Sequence, residues 1–111
     1  MRTLFHITEK QSWAIAQSKG IYIAPSLATE GFIHLSDPEQ VLGTANRFYQ
    51  GQQDLLLLEI DRDRLQSRLQ YDQVPGHGTF PHLYGSLNLD AVVQIRSLNP
   101  NSNGQFELPI V

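Results

Sequence analysis

The feature that most restricts the fold is an unbroken run of apolar residues near the middle of the chain. Between Asp54 and Asp61 the sequence reads Leu-Leu-Leu-Leu-Glu-Ile, a stretch far too short to span a bilayer. A short run without polar alternation is typical of a strand that is covered on both faces. We therefore predict that residues 54–61 form the central strand of a sheet.

A second stretch, Glu30–Ser36, carries the clearest chemical signal. It reads Glu-Gly-Phe-Ile-His-Leu-Ser, and a period of two places its Phe, His and Ser on one face and its Ile and Leu on the other. Ser36 is predicted to cap the next helix, with Glu39 completing a capping box. An imidazole in mid-strand needs a polar partner, so either the core or a ligand must satisfy His34.

The rest of the chain alternates between short strands and helices. We predict strands over 3–8, 21–23, 68–73, 90–98 and 105–111, helices over 9–20 and 37–50, and one helical turn over 62–66. Residues 26–30 are predicted as a loop, and so are residues 79–85, because Pro81 lacks an amide hydrogen. Residues 1–111 should therefore form a single α+β domain with about two helices and a mostly antiparallel sheet.

Composition narrows the classes of function. The net charge is −3 and the eight basic residues are not clustered, so nothing indicates nucleic-acid binding. The absence of cysteine excludes disulfides, thiolate catalysis and cysteine-ligated metal. The N-terminus has no apolar stretch of signal-peptide length, so we expect a cytoplasmic protein. We also expect no membrane partner, and we expect the ligand to be a small molecule.

Four histidines are the main candidates for chemistry. His6 and His34 are predicted in mid-strand, and both imidazoles project to the same side if their strands are neighbours in register. His82 lies between aromatic residues in a segment restricted by Pro81, whereas His77, between two glycines, is predicted to be a solvated turn residue. The core could instead satisfy each imidazole. Three histidines could also hold zinc or iron, although no short metal-binding spacing is present.

The two histidine motifs resemble a known family. Glu30–Ser36 and Phe80-Pro81-His82-Leu83-Tyr84-Gly85, with Phe48-Tyr49 and the leucine run between them, resemble the bacterial family catalogued as domain of unknown function 952. The resemblance covers nearly the whole chain in the right order, and the family has no established activity. It implies a distant similarity to the ADP-ribosyltransferase fold, a split and mostly antiparallel sheet whose cleft binds NAD in the characterised members.

The resemblance also implies roles for individual residues. His6 would contact the nicotinamide ribose, His34 would shape the nicotinamide pocket and His82 would line the cleft. Asp72 is a better match than Glu107 for the acidic residue that polarises a ribose hydroxyl. The implied site has His34, His82 and Asp72 as catalytic residues, with His6, Ser36 and Tyr84 contacting NAD as the possible cofactor.

We therefore expect an enzyme whose cleft binds NAD, ADP-ribose or a related phosphorylated nucleotide. Nicotinamide would leave through a cationic ribosyl transition state that Asp72 stabilises electrostatically. Two other hypotheses remain open at this point. One is a non-catalytic module that binds a small ligand or a protein in the same cleft, and the other is a three-histidine metal enzyme.

Overall fold

The computed structural model describes residues 3–108, which form an α+β domain of eight strands and three α-helices. The strands are β1 (Thr3–Glu9), β2 (Ile21–Tyr22), β3 (Ile33–His34), β4 (Leu55–Asp61), β5 (Arg68–Val74), β6 (Gly78–Tyr84), β7 (Leu87–Asn88) and β8 (Val92–Leu98). The helices are α1 (Lys10–Lys19), α2 (Ser26–Thr29) and α3 (Val41–Phe48), and single 3-10 turns lie at Arg62–Arg64 and Leu89–Ala91. None of the helices within 3–108 has the length and apolar character that a membrane-spanning helix needs.

The strands form three antiparallel sheets, ordered β1-β4-β8, β2-β7 and β3-β6-β5. Strand β4 lies between β1 and β8, which confirms the prediction of a central strand. Leu58 packs into the core beneath α1, whereas its neighbour Leu57 packs into a second core beside α3. Successive residues of β4 face opposite sides of the sheet, and both side chains are buried because both sides are covered by a core.

One backbone bridge joins the two larger sheets. The Phe5 N–H donates to the Ser36 carbonyl and the Ser36 N–H to the Phe5 carbonyl, both at 2.8 Å. Because this antiparallel bridge sets Phe5 opposite Ser36, His6 lies opposite Leu35 and not opposite His34. The condition for His6 and His34 to project side by side is therefore not met.

The predicted loop over 79–85 is wrong, because residues 78–84 form β6, the middle strand of its sheet. The Pro81 carbonyl accepts a hydrogen bond from the Leu35 N–H at 3.1 Å. Within an antiparallel strand the backbone N and O of one residue point to the same side. Since the Pro81 carbonyl points toward the end of short β3, the position of its missing N–H faces that end as well. The full-length partner β5 therefore loses no hydrogen bond, and the sheet tolerates the proline.

The predicted capping box at Ser36 is also wrong. Helix α3 begins at Val41 with Gln40 as its N-cap, because the backbone of Ser36 is held extended by its bridge to Phe5. Residues 37–40 form a turn in which the Gln40 side chain accepts from the Asp37 N–H at 3.0 Å. Similarly, β1 continues one residue beyond Thr8, so Glu9 is the N-cap of α1, whereas the predicted helix stop at Gly20 is confirmed.

Two more segments differ from prediction. Residues 26–29 are helical and not a loop, since Pro25 at the N-cap has the φ of −55° that a helix requires. Residues 105–108 form no strand, because the Phe106 N–H bonds to the Asn46 side chain at 2.6 Å in place of a neighbouring strand. The remainder of the strand predicted over 105–111, including Pro109, lies outside the described residues.

Candidate functional site

A cleft of about 570 Å³ lies between β1, β3, β6 and α3. All four histidines, His6, His34, His77 and His82, line it. Two of them arrive by strand pairing, since His34 of β3 lies opposite His82 of β6. The neighbouring pair Leu35–Pro81 carries the ladder hydrogen bond, so His34 and His82 form a non-hydrogen-bonded pair, in which side chains approach most closely. Their ring centroids are 5.3 Å apart.

His82 is held by a carboxylate. Its Nδ1 lies 2.8 Å from Asp72 Oδ2, and its ring stacks on Phe32 with centroids 3.9 Å apart. The other ring nitrogen, Nε2, is buried and has no hydrogen-bond partner among the described residues. His82 lines the cleft, whereas Asp72 does not.

Asp72 is strongly biased toward its ionised form. It accepts hydrogen bonds from the Tyr84 hydroxyl, the Gln70 amide at 2.7 Å and His82 Nδ1. These three bonds, led by that from Tyr84, lower the pKa of Asp72 from 3.8 to about 2. The carboxylate of an ionised Asp72 can only accept, so His82 Nδ1 carries a proton and donates to it.

His34 forms a second carboxylate–imidazole pair at the surface. Its Nε2 lies 2.7 Å from Glu30 Oε2, and the two side chains are 53% and 47% exposed. Phe32 touches both imidazoles, because its ring also lies edge-on to His34 with centroids 5.0 Å apart. The two pairs, Glu30–His34 and Asp72–His82, therefore flank one aromatic ring. The first pair is open to solvent, and in the second His82 is buried and Asp72 is partly exposed.

We expect His34→Ala to cost less than about 1 kcal/mol of unfolding free energy, because water can replace a half-exposed imidazole. Ile33→Ala is the matched control, since the neighbouring side chain is fully buried on the opposite face and should cost about 2–5 kcal/mol. Urea denaturation of the two variants and the parent measures both values. A loss for His34→Ala as large as that for Ile33→Ala would make His34 a core residue.

His6 has a different environment, in which both ring nitrogens are engaged. Nδ1 lies 2.6 Å from the His34 carbonyl, which can only accept, so Nδ1 carries the proton. Nε2 then accepts from the Tyr22 hydroxyl at 2.8 Å, and the Thr8 hydroxyl donates to the Tyr22 oxygen at 2.9 Å. Burial lowers the pKa of His6 to about 4 and raises that of Tyr22, so both stay neutral near pH 7.

The two other residues proposed to contact a cofactor take different positions. Ser36 is buried in the wall of the cleft, with its hydroxyl 3.4 Å from that of Thr44. Tyr84 lies outside the cleft lining, where its hydroxyl donates to Asp72 and its ring lies beneath the guanidinium of Arg68. Ser36 is therefore part of the cleft wall, whereas Tyr84 contacts Asp72 outside it.

Within residues 3–108, no group of three His, Asp or Glu side chains is arranged to hold a metal ion. His34 and His82 lie close together, and both ring nitrogens of His6 are already engaged in hydrogen bonds. The remaining histidine, His77, lies in the turn between β5 and β6, and its ring centroid is 6.2 Å from that of Phe48. The three-histidine metal hypothesis thus has no support from the described part of the chain.

Sequence reasoning missed several residues of the site. Glu30 was noted only as the start of a motif, since its pairing with His34 depends on the turn at Gly31, where φ is +88°. Glu9 and Arg47 also line the cleft, and no local pattern marks them. Phe32 was placed on the correct face of its strand, but only the pairing of β3 with β6 stacks it on a histidine.

Two of the comparisons with known proteins found matches. A family model described as "Protein of unknown function (DUF952)" matches residues 7–95. The crystal structure of protein CC0527 from Caulobacter crescentus has 30% sequence identity and a TM-score of 0.87, covering 96% of this chain and 94% of that one. The solution NMR structure of CC0527 has a TM-score of 0.82 at 30% identity and covers 95% and 91% of the two chains. No curated protein matches the chain.

Proposed function

The chain belongs to the DUF952 family of proteins of unknown function, and we propose that it is an enzyme that binds a ribosyl nucleotide, such as NAD or ADP-ribose, in the cleft beside His82. The observation that carries this proposal is the buried Nε2 of His82, which has no partner among the described residues. A buried polar atom without a hydrogen-bond partner costs free energy, and we infer that a ligand hydroxyl reaching Nε2 from the cleft would remove that cost. Ribose offers several such hydroxyls.

The size and lining of the cleft support a ligand of this class. Its volume of about 570 Å³ falls within the usual range for small-molecule sites, about 300–1,000 Å³. The hydroxyl groups of Ser36 and Thr44 and the guanidinium of Arg47 line it together with several aromatic rings. Hydroxyls suit a sugar, a guanidinium suits phosphate and aromatic rings suit a base. The distant similarity to the ADP-ribosyltransferase fold that the family resemblance implies would favour the ribosyl group in particular.

The proposed chemistry is transfer or hydrolysis at the C1′ atom of the nicotinamide ribose. As the oxygen of an attacking hydroxyl or water bonds to C1′, His82 Nε2 takes its proton. The C1′–N bond breaks with its electron pair going to the ring nitrogen, so nicotinamide leaves as a neutral molecule. Asp72 does not touch the ligand in this scheme. It is a positioning residue, which fixes the tautomer of His82 and stabilises the imidazolium that forms.

His34 and His6 have separate roles in the proposal. His34 stands beside His82, and its imidazole, held by Glu30, is close enough to contact the same sugar. His6 contacts no ligand, because both of its nitrogens are engaged. Its bond to the His34 carbonyl instead fixes β3, the strand that carries His34, against β1.

A second candidate function is binding without turnover. Among the described residues that line the cleft, Glu9 is the one carboxylate, and it lies at the end of β1, away from the two paired histidines. The oxygens of Asp72 are already occupied by three hydrogen bonds. A cationic ribosyl transition state would then have no carboxylate facing it. This arrangement favours a binding module, which holds ADP-ribose and releases it unchanged.

Isothermal titration with ADP-ribose and with NAD tests the proposal. We expect the parent to bind, and His82→Phe, which keeps the stacking on Phe32 but removes Nε2, to bind about tenfold more weakly, the scale of one lost hydrogen bond. Gln70→Ala is the control, since it removes a bond to Asp72 on the outer side and should change affinity less than about twofold.

A parent that binds neither nucleotide at millimolar concentration would refute the proposed ligand class, and full affinity in His82→Phe would refute the role of Nε2. Turnover is measured separately, as nicotinamide released from NAD. Release that is lost in Asp72→Asn supports the enzyme. Tight binding of ADP-ribose without any release from NAD supports the binding module.

A further inference from the structure

We propose that the outer end of the cleft is a subsite for a nucleobase and its adjoining phosphate, formed by Arg47, Phe48 and His77, which we call the aromatic rim. This inference deepens the proposed function and rests on it, because it assigns the part of the nucleotide that lies farthest from His82. All three residues line the same cleft as His82. None of them is among the site residues predicted from the sequence, where His77 is predicted to be a solvated turn residue.

Phe48 is the main element of the rim. It is the last residue of α3, whose core-facing residues are Val41 and Ala45, and its own side chain is 59% exposed. The ring meets His77 of the β5–β6 turn edge-on, with centroids 6.2 Å apart and planes at 73°. A large aromatic ring left open on the wall of a cleft gains free energy when a flat ligand covers it, and every nucleobase offers such a face.

Arg47 gives the rim its charge. It is the one lysine or arginine among the described lining residues, and its guanidinium carbon lies 5.9 Å from the centre of the Phe48 ring. Arg47 forms no ion pair with another residue of 3–108, so its charge is not already neutralised by a carboxylate. Guanidinium groups bind phosphate through paired hydrogen bonds, so a phosphate next to the stacked base would be held here.

The distance along β6 determines what size of ligand reaches both ends. Phe80 and His82 are two residues apart on one face of the strand, and both line the cleft. His77 lies in the turn five residues before His82, so at about 3.3 Å per extended residue it is at most roughly 16 Å away along the chain. A lone sugar phosphate cannot contact His82 and the rim together, whereas a base, a diphosphate and a second ribose in sequence can.

The test compares two ligands that share one end. ADP-ribose carries the base, and ribose 5-phosphate lacks it. We expect Phe48→Ala to weaken ADP-ribose binding about tenfold, the scale of one base stacked on an aromatic ring, and to leave ribose 5-phosphate within about twofold. Phe48→Tyr should retain the affinity of the parent for both. Leu42→Ala is the control, because Leu42 is exposed on α3 but does not line the cleft.

Each outcome of these titrations decides the matter. If the parent binds ADP-ribose and Phe48→Ala weakens both ligands equally, or neither, the rim is refuted and the proposed function stands. If the parent binds ribose 5-phosphate as tightly as ADP-ribose, the base has no subsite and the rim is again refuted. If the parent binds neither ligand, both proposals fall together.

Discussion

Lowering the pH from 7 to 4 should destabilise the protein by about 3 kcal/mol through His6 alone. In the folded chain, burial lowers the pKa of His6 from 6.5 to about 4, so only the unfolded chain takes up a proton as the pH falls through 6.5. The stabilisation is therefore complete above pH 6.5 and is lost progressively down to pH 4. One unit of pKa difference is worth about 1.4 kcal/mol, so the difference between 6.5 in the unfolded chain and about 4 in the folded chain gives the expected loss of about 3 kcal/mol.

Urea denaturation at a series of pH values measures this effect in the parent and in His6→Asn. The asparagine amide can still donate to the His34 carbonyl but cannot take up a proton, so the variant should lose much less stability between pH 7 and 4. His77→Asn removes an exposed histidine as the control and should retain the pH dependence of the parent. The pH window of His6 lies above that of Asp72, whose stabilisation is present at higher pH and is lost only below about pH 4. Equal pH dependence in the parent and His6→Asn would contradict the buried, neutral His6.

Leu57→Ala should lower the free energy of unfolding by about 2–5 kcal/mol, as large-to-small changes in well-packed cores do. Leu57 is 1% exposed in the central strand and packs against the core beside α3. Its replacement by alanine removes apolar contacts and leaves a cavity. The cavity cannot close readily, because β4 is hydrogen-bonded to a strand on each side. Chemical denaturation of parent and variant measures the loss.

Val93→Ala is the matched control for this prediction. Val93 lies on β8 of the same sheet but is 44% exposed, so its truncation should cost less than about 1 kcal/mol. Hydrogen exchange gives a second measurement, in which the amides of β4 should be among the slowest of the chain. Exchange there as fast as in the loops, or equal losses for the two variants, would show that β4 is not the structural centre.

The hydrogen bond between Asp72 and His82 links the fold to the proposed chemistry. Asp72 and His82 lie on adjacent strands, β5 and β6, whose register sets Asp72 opposite Phe80 and Gln70 opposite His82. The carboxylate therefore reaches the imidazole diagonally, on the same face of the hairpin. A shift of that register by one residue would send Asp72 to the other face and leave His82 with neither nitrogen bonded. The turn between the two strands is thus part of the site.

Much of the fold follows from local patterns in the sequence. The leucine run predicted the central strand, the alternation in Glu30–Ser36 predicted which side chains of β3 face the core, and Gly20 predicted the end of α1. These signals are reliable because the leucine run, the period of two and the glycine at a left-handed helix end are each local features of the sequence. The same patterns indicated that His34 and His82 were candidates for a site.

Only the tertiary structure decided what each histidine does. Local sequence is alike around His6 and His34, yet the bridge between Phe5 and Ser36 buries His6 against Tyr22 and leaves His34 half exposed beside Glu30. The strand through Pro81 exists because its missing N–H faces the end of a short neighbour, which no local rule can anticipate. Hydrogen-bond partners of buried side chains are chosen by strand register across many residues, so the pairing of each histidine is a property of the folded chain.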